Sequence, residues 1–200
     1  MKHLFTAIGL LLFLGVMPFV AHAEEPNYRM MPLPELTQKA TAGDAEAQFE
    51  LGLRHDRGQG VPQDARQAVN WFQKAAEQGH ADSQYLLGLF MYSGGVSVRQ
   101  DVRQAVNWFQ KAAEQGHAHA QHNLGYIYHT GRGMPQDIVL AYALYRLAES
   151  GGDDRAENSL EFAAEEMTPE QIEEGEALLS QWQPGQPLPT TSKTGRTDSR

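Results

Sequence analysis

Residues 66–81 read RQAVNWFQKAAEQGHA, and residues 103–118 repeat these sixteen residues without a change, 37 positions later. Self-similarity at a period of about 20–50 residues is typical of stacked-repeat proteins, in which each unit contacts only its neighbours. Such a stack offers an extended surface more often than a catalytic cleft. The duplicated block therefore favours a repeat architecture.

The duplicated block predicts an amphipathic helix, called helix B of each repeat. Its apolar residues recur at i, i+3, i+4, i+7 and i+8, which places them on one face of an α-helix. Asp64 and Asp101 precede the helix as N-cap residues, with a glutamine three positions later. The stripe comprises Ala68, Trp71, Phe72, Ala75 and Ala76 in the first block and Ala105, Trp108, Phe109, Ala112 and Ala113 in the second.

The two tryptophans of this stripe have two interpretations, core packing or a platform for stacking a sugar. Both lie among small alanines, and a third copy of the pattern has Leu144 in their place. We therefore expect Trp71 and Trp108 to pack in the core.

A second helix, helix A, precedes each helix B. Three copies, at residues 43–78, 79–115 and 116–151, keep a glutamine, a leucine and a glycine at fixed spacing. A glycine inside a helix costs about 1 kcal/mol relative to alanine, so we expect a neighbouring helix to approach too closely for a Cβ. The repeated residues are Gln48, Leu51 and Gly52, then Gln84, Leu87 and Gly88, then Gln121, Leu124 and Gly125.

These motifs resemble the Sel1-like repeat, a relative of the tetratricopeptide repeat. The resemblance rests on A-x-A-Q-x-x-L-G, G-x-G-V-x-Q-D and A-V-x-W-x-x-K-A-A-E-Q-G and covers residues 34–165. It departs from the family at His55 and Met91, where an aromatic residue is usual, and in a degenerate fourth copy at residues 152–165 with Glu161 in place of the glycine. It implies an all-α fold, a right-handed α-solenoid of stacked antiparallel helix pairs.

The ends of the chain lie outside the repeats. Residues 1–23 carry Lys2 before an apolar run and end in Ala-His-Ala, which predicts a signal peptide cleaved after Ala23; an uncleaved membrane anchor is the alternative. We expect a periplasmic or secreted protein without membrane insertion after cleavage. The remaining segments are predicted as a flexible leader at 24–33, a capping helix at 168–182 and a disordered tail at 183–200.

The composition excludes several classes of function. The chain has no cysteine, so neither a disulfide framework nor a lipidated cysteine is possible. Its formal charge of −9 disfavours nucleic acid and anionic lipid as partners. The S-x-x-K, H-E-x-x-H and G-x-S-x-G motifs are absent. We expect neither enzymatic activity nor a cofactor.

The resemblance implies that the outer stripe of helix A lines a concave groove. Positions i, i+3, i+7 and i+10 share this helical face, and they differ between copies although the inward positions agree. Aromatic side chains in a groove suit peptide recognition; the alternative is that these rings pack on the facing helix and bind nothing. The predicted groove residues are Glu46, Phe49, Leu53, Asp56, Asp82, Tyr85, Leu89, Tyr92, His119, His122, Tyr126 and His129.

The histidines at one end of this groove raise the question of a metal. His119 and His122 are spaced i, i+3 and would need Asp82 as a third ligand, whereas His129 lies about 15 Å farther along the helix. We expect no metal site; a pH-sensitive contact stays open.

Three functions remain. The first is a non-enzymatic adaptor or regulator at the cell envelope that holds a protein or peptide in the groove. The second is β-lactam binding or hydrolysis, which the resemblance suggests for a disulfide-rich branch whose cysteines this chain lacks. The third is a structural spacer within a larger assembly.

Overall fold

The computed structural model describes residues 26–95, 99–180 and 182–188, and the regular secondary structure in these ranges is entirely helical. The predicted signal peptide at residues 1–23 lies outside them. A short 3-10 helix, η1 (Tyr28–Met30), precedes the α-helices. These are α1 (Leu33–Thr41), α2 (Ala45–Arg57), α3 (Ala65–Glu77), α4 (Ala81–Ser93), α5 (Val102–Glu114), α6 (Ala118–Thr130), α7 (Ile138–Ser150), α8 (Ala156–Glu165) and α9 (Pro169–Leu179).

The B-type helices α3, α5 and α7 begin where the sequence predicts. Each follows an N-cap aspartate whose carboxylate accepts a hydrogen bond from a backbone N–H of the first turn: Asp64, Asp101 and Asp137. The A-type helices α2 and α6 end at Gly58 and Gly131, which adopt the left-handed conformation that glycine tolerates best. Local sequence therefore sets the helix boundaries.

The helices pack mainly against their neighbours in the sequence. Three pairs, α2 with α3, α4 with α5 and α6 with α7, form the repeats, and each pair stacks on the next. Helix α1 covers the first pair, and α8 and α9 pack on the last. The chain is thus an α-solenoid, as predicted. In the part of the chain that the structure describes, no helix is both long and apolar enough to span a membrane.

Within each pair, a glycine of helix A faces an aromatic ring of helix B. A Cβ placed on Gly52 would lie only 2.6 Å from the ring of Phe72, which is itself fully buried. The predicted close approach is therefore confirmed, and its cause is a ring pressed against the helix backbone. The corresponding distances are 2.5 Å between Gly88 and Phe109 and 2.9 Å between Gly125 and Tyr145.

The two tryptophans lie at the edge of this core. Trp71 packs against the cluster that contains Leu36 and Leu51, but both tryptophans are only half-buried. A lysine ammonium lies over each ring, at 4.1 Å for Lys74 and Trp71 and at 4.4 Å for Lys111 and Trp108. The predicted core position is correct for the neighbouring phenylalanines. It is only partly correct for the tryptophans, because their rings pack on the preceding helices at the edge of the core and stay partly exposed.

The segment before α1 is held against α2. The hydroxyl of Tyr28 donates to the carboxylate of Asp44 at 2.6 Å, and the Arg54 guanidinium donates to the backbone carbonyls of Tyr28, Arg29 and Met31. The side chain of Met31 is buried. Residues 28–33, which the sequence assigned to a flexible leader, thus form part of the packed end of the stack.

The C-terminal segments also pack on the repeats. Thr168 and Gln171 form the capping box that the sequence predicts at the start of α9, and Gly175 of this helix lies against the ring of Tyr142. Residues 183–188, which the sequence assigned to a disordered tail, return to the end of α5. There the Gly185 N–H donates to the Glu114 carbonyl at 2.6 Å.

Candidate partner-binding groove

The twelve predicted groove residues form four rows that cross α2, α4 and α6. The first row lies at the N-terminal ends of these helices and the fourth near their C-terminal ends. The rows are Glu46, Asp82 and His119; Phe49, Tyr85 and His122; Leu53, Leu89 and Tyr126; and Asp56, Tyr92 and His129.

The first row is exposed and links each A-type helix to the start of the next one. The side chains of Glu46, Asp82 and His119 are 52%, 60% and 52% exposed. A carboxylate oxygen of Glu46 lies 2.9 Å from Nε2 of His80, and one of Asp82 lies 3.0 Å from Nε2 of His117. The hydrogen bond with His117 lowers the pKa of Asp82.

His80 and His117 are the N-caps of α4 and α6. Nδ1 of each ring accepts a backbone N–H of the first turn, from Ser83 and Ala120 respectively. Because Nδ1 accepts, Nε2 carries the proton in the neutral ring and donates it toward the first-row carboxylate. We call the contact between consecutive repeats a joint. At both joints between the three repeats, a histidine therefore links a carboxylate of one A-type helix to the backbone at the start of the next.

The acid and the histidine exchange positions after the third repeat. Nδ1 of His119 lies 2.9 Å from a carboxylate oxygen of Asp153, whose side chain is fully buried. The Arg155 guanidinium donates to both oxygens of this carboxylate, at 3.0 and 2.6 Å. Burial opposes ionisation of Asp153, but the hydrogen bonds from Arg155 and His119 outweigh it and hold the pKa of Asp153 well below its usual range.

The second row builds the joints between repeats. The ring of Phe49 stacks on His80 and that of Tyr85 stacks on His117, both with centroids 4.6 Å apart. In the third copy the row continues with His122, whose Nε2 lies 3.0 Å from Oγ of Ser159. Burial lowers the pKa of His122. Packing on the facing helix, the alternative that the sequence left open, thus describes this row.

The third row becomes more aromatic and more exposed along the stack. Leu53 is buried, Leu89 is half-buried, and Tyr126 is 45% exposed. In the fourth row the Tyr92 hydroxyl accepts a hydrogen bond from Arg132, whose guanidinium also lies 4.9 Å from the ring centroid. Exposed aromatic surface is therefore concentrated toward the end of the stack.

Three of the predicted groove residues are covered, which corrects the expectation that they face a partner. Leu53, His122 and His129 are only 8%, 8% and 7% exposed. His122 and His129 are covered because α8 packs over this end of α6, where Nε2 of His129 lies 3.2 Å from Glu166. In the described ranges no three histidine, cysteine, aspartate or glutamate side chains are placed to hold a metal ion.

Helix α8 adds a further member to each row, which the sequence analysis did not identify. Counted from Gly152 as the earlier copies are counted from Gly43, the four positions fall on residues that are all exposed. Glu161 in the glycine position made this copy look degenerate, but the shared register was visible in the sequence. The added residues are Arg155, Asn158, Phe162 and Glu165.

Comparison with known proteins supports the repeat assignment. A family model described as Sel1 repeat matches residues 45–80, 81–117 and 118–153. The chain is 46% identical over 43 residues to the Secretory immunoglobulin A-binding protein EsiB of Escherichia coli O6:H1, a match that covers 22% of this chain and 9% of EsiB. The chain therefore corresponds to a small part of that relative's length.

Two solved structures share the fold. The crystal structure of a Sel1 repeat protein from Oxalobacter formigenes matches with a TM-score of 0.60 and 36% identity, covering 64% of this chain and 96% of that protein. The second is c5321, described as a protective antigen present in uropathogenic Escherichia coli strains displaying an SLR fold. It matches with a TM-score of 0.65 and 38% identity, over 74% of this chain and 33% of c5321.

Proposed function

Because the chain belongs to the Sel1 repeat family, we propose that it is a non-enzymatic, exported binding protein that holds a protein or peptide partner in the groove of its A-type helices. Sel1 repeat proteins generally serve as scaffolds for protein–protein interaction. Together with the predicted signal peptide, this favours an adaptor or regulator at the cell envelope.

The observation that carries the proposal is a contrast between scaffold and surface. The contact between the helix-A glycine and the helix-B ring recurs in all three repeats. The exposed first row, in contrast, changes from Glu46 and Asp82 to His119 and then to Arg155, the residue directly before α8. An exposed, continuous row that varies between repeats suits recognition of an extended partner, because each repeat can then contact a different part of it.

The remaining surface favours binding over catalysis. Two clefts, of about 710 and 440 Å³, lie beside the N-terminus of α5, and both are lined by Arg103 and Gly133. Asp101, the carboxylate of the larger cleft, already serves as the N-cap of α5. One relative, EsiB, is named for binding an immunoglobulin, which is consistent with a protein partner here without identifying it.

Site-specific photo-crosslinking in intact Gram-negative cells tests this function. Benzoyl-phenylalanine is placed in the groove at Glu46, Asp82 or Tyr126, and on the outer surface of helix B at Arg66 or Arg103, which are both exposed. We expect the groove positions to capture a common protein that the helix-B positions do not. Adducts from the helix-B positions alone, or from none of the five, would contradict the proposal.

A further inference from the structure

We propose that the partner's main anchor is a large apolar side chain flanked by lysine or arginine, and that it docks on the surface formed by Tyr126 of α6 and Phe162 of α8. This inference rests on the proposed function, because it assumes that the groove holds a peptide segment. It adds where in the groove that segment is held most tightly and which chemistry is selected.

Exposed apolar surface is the first reason. Only three large hydrophobic side chains are exposed in the described ranges, and Tyr126 and Phe162 are two of them, at 45% and 58%. They occupy the third-row position of consecutive A-type helices, where Leu53 is buried in the first copy. Two aromatic rings exposed at equivalent positions of neighbouring helices form the kind of apolar surface that interaction sites use as an anchor.

The surroundings of Phe162 hold its ring in place. The ring lies against the imidazole of His129, with centroids 5.4 Å apart, and His129 follows Tyr126 by one turn on α6. His129 is itself fixed between Glu166, at 3.2 Å, and the Tyr145 hydroxyl, at 3.4 Å. Because this packing already restricts the Phe162 ring, the ring loses little conformational freedom when a partner binds, which favours affinity.

The charge around this surface selects the flanking residues of the partner. Helix α8 carries Glu157, Glu161 and Glu165 and no lysine, arginine or histidine, and Glu166 follows it. Glu161 and Glu165 lie one and three positions from Phe162 on α8, and both are exposed. An apolar anchor with acidic flanks would be repelled there, whereas basic flanks are attracted. The expected ligand of this surface is therefore a basic peptide segment and not a second copy of this acidic chain.

A positional-scanning library of immobilised nine-residue peptides tests the inference with the full mature chain. We expect selection of Leu, Met, Phe or Trp at one position and of Lys or Arg beside it. Phe162→Ala is expected to weaken binding of the selected peptide about tenfold or more, as for an interface anchor. Circular dichroism verifies that the variant keeps its helix content.

A matched pair of charge variants isolates the electrostatic part. Glu161→Gln/Glu165→Gln is expected to weaken the selected peptide several-fold at low salt and to flatten the dependence of its binding on salt. Glu35→Gln/Glu173→Gln removes the same charge from exposed positions elsewhere and is expected to leave binding unchanged.

The outcomes separate this inference from the proposed function. Selection of acidic flanks, selection without an apolar position, or no selection at all overturns the inference. So does a dimer, detected by light scattering, that Phe162→Ala abolishes, because a second copy then covers the surface. If peptides are selected but bind Phe162→Ala as well as wild type while crosslinks still map to the groove, the proposed function survives and the anchor surface does not.

Discussion

The joints between repeats fall into two kinds, a repeated one and a rebuilt one. At the repeated joints, between α3 and α4 and between α5 and α6, a glutamine of the A-type helix donates to a backbone carbonyl of the preceding B-type helix, and between α3 and α4 a second glutamine completes a relay. The side-chain amide of Gln84 donates to the Ala76 carbonyl, and its oxygen accepts from the amide of Gln115. Gln48 and Gln78 form the same relay one repeat earlier. The duplicated sequence thus supplies hydrogen bonds that help to attach one repeat to the next.

The glutamine relay is incomplete between α5 and α6, and the terminal joint, between α7 and α8, is built differently. Gln121 still donates to the Ala113 carbonyl, but Gly151 stands where the second glutamine belongs, and the buried Gln121 side-chain oxygen has no hydrogen-bond partner among the described residues. The buried carboxylate of Asp153 replaces the N-cap histidine. The difference shows how the stack ends. An ion-paired contact replaces the hydrogen-bonded contact of the repeated joints, and the outer face of α8 is exposed.

The largest effect is expected from breaking the core packing inside a repeat, on which the repeated joints depend. Phe109→Ala removes a fully buried ring that contacts Gly88 and Tyr85, and should lower the free energy of unfolding by about 3–5 kcal/mol. Trp108→Ala should cost less, about 1–3 kcal/mol, because part of its ring already lies in water. Urea unfolding followed by circular dichroism measures both. Equal losses would show that the tryptophan belongs to the core after all.

The terminal joint should break at Asp153. Asp153→Asn removes the charged partner of Arg155 and His119 from a buried position, and should lower the unfolding free energy by about 2–3 kcal/mol. Hydrogen exchange should show the loss concentrated in α8, with α2 to α5 still protected. Asp154→Asn, at the exposed neighbouring position, is the control and should change stability little. Uniform loss of protection along the stack would mean that the two kinds of joint do not unfold separately.

The glutamine relay allows the same substitution to be compared where the relay is complete, at Gln84, and where it is not, at Gln121. Gln84→Met and Gln121→Met each remove a donor to a backbone carbonyl, but only Gln84 also loses an acceptor that has a partner, Gln115. Gln84→Met should therefore be more destabilising than Gln121→Met by about 1 kcal/mol. Thermal and urea unfolding under identical conditions measure the difference. If the two variants are equally stable, the relay adds nothing to the repeated joint.

The sequence predicted the scaffold well because its information is local. The spacing of apolar residues, the N-cap aspartates and the glycine of helix A each act within one or two turns, and the structure has them as expected. Gly52 also predicted a close contact with the neighbouring helix, since only a close packing partner explains a glycine there. The residues 28–33 and 183–188 were harder to place because their packing depends on distant residues such as Arg54 and Glu114.

The groove was predicted less completely because exposure depends on the next helix. His122 and His129 lie on the predicted face, but α8 covers them. Phe162 was missed for the opposite reason: its helix lacks the family's glycine, although it keeps the register. A helical face can be read from spacing, whereas its coverage requires the arrangement of neighbouring helices.

The smallest effect should be the pH dependence that His122 adds to the terminal joint. The second-row position holds the ring of Phe49 or Tyr85 at the repeated joints and the imidazole of His122 at the terminal one. Burial, and then the charge of Arg155, lower the pKa of His122 in the folded chain. The unfolded chain, with a histidine pKa of about 6.5, therefore takes up this proton first as the pH falls.

It follows that His122 stabilises the fold fully above about pH 6.5 and progressively less as the pH falls from there toward its lowered folded pKa. Unfolding free energies of wild type and His122→Asn, measured between about pH 8 and pH 6, should converge as the pH falls, because only the wild type loses this contribution. The other histidines are common to both proteins and cancel in the difference. The carboxylates of Asp82 and Asp153, whose pKa values are also lowered, affect stability only below about pH 4, outside this window. Parallel curves would show that His122 makes no pH-dependent contribution to the terminal joint.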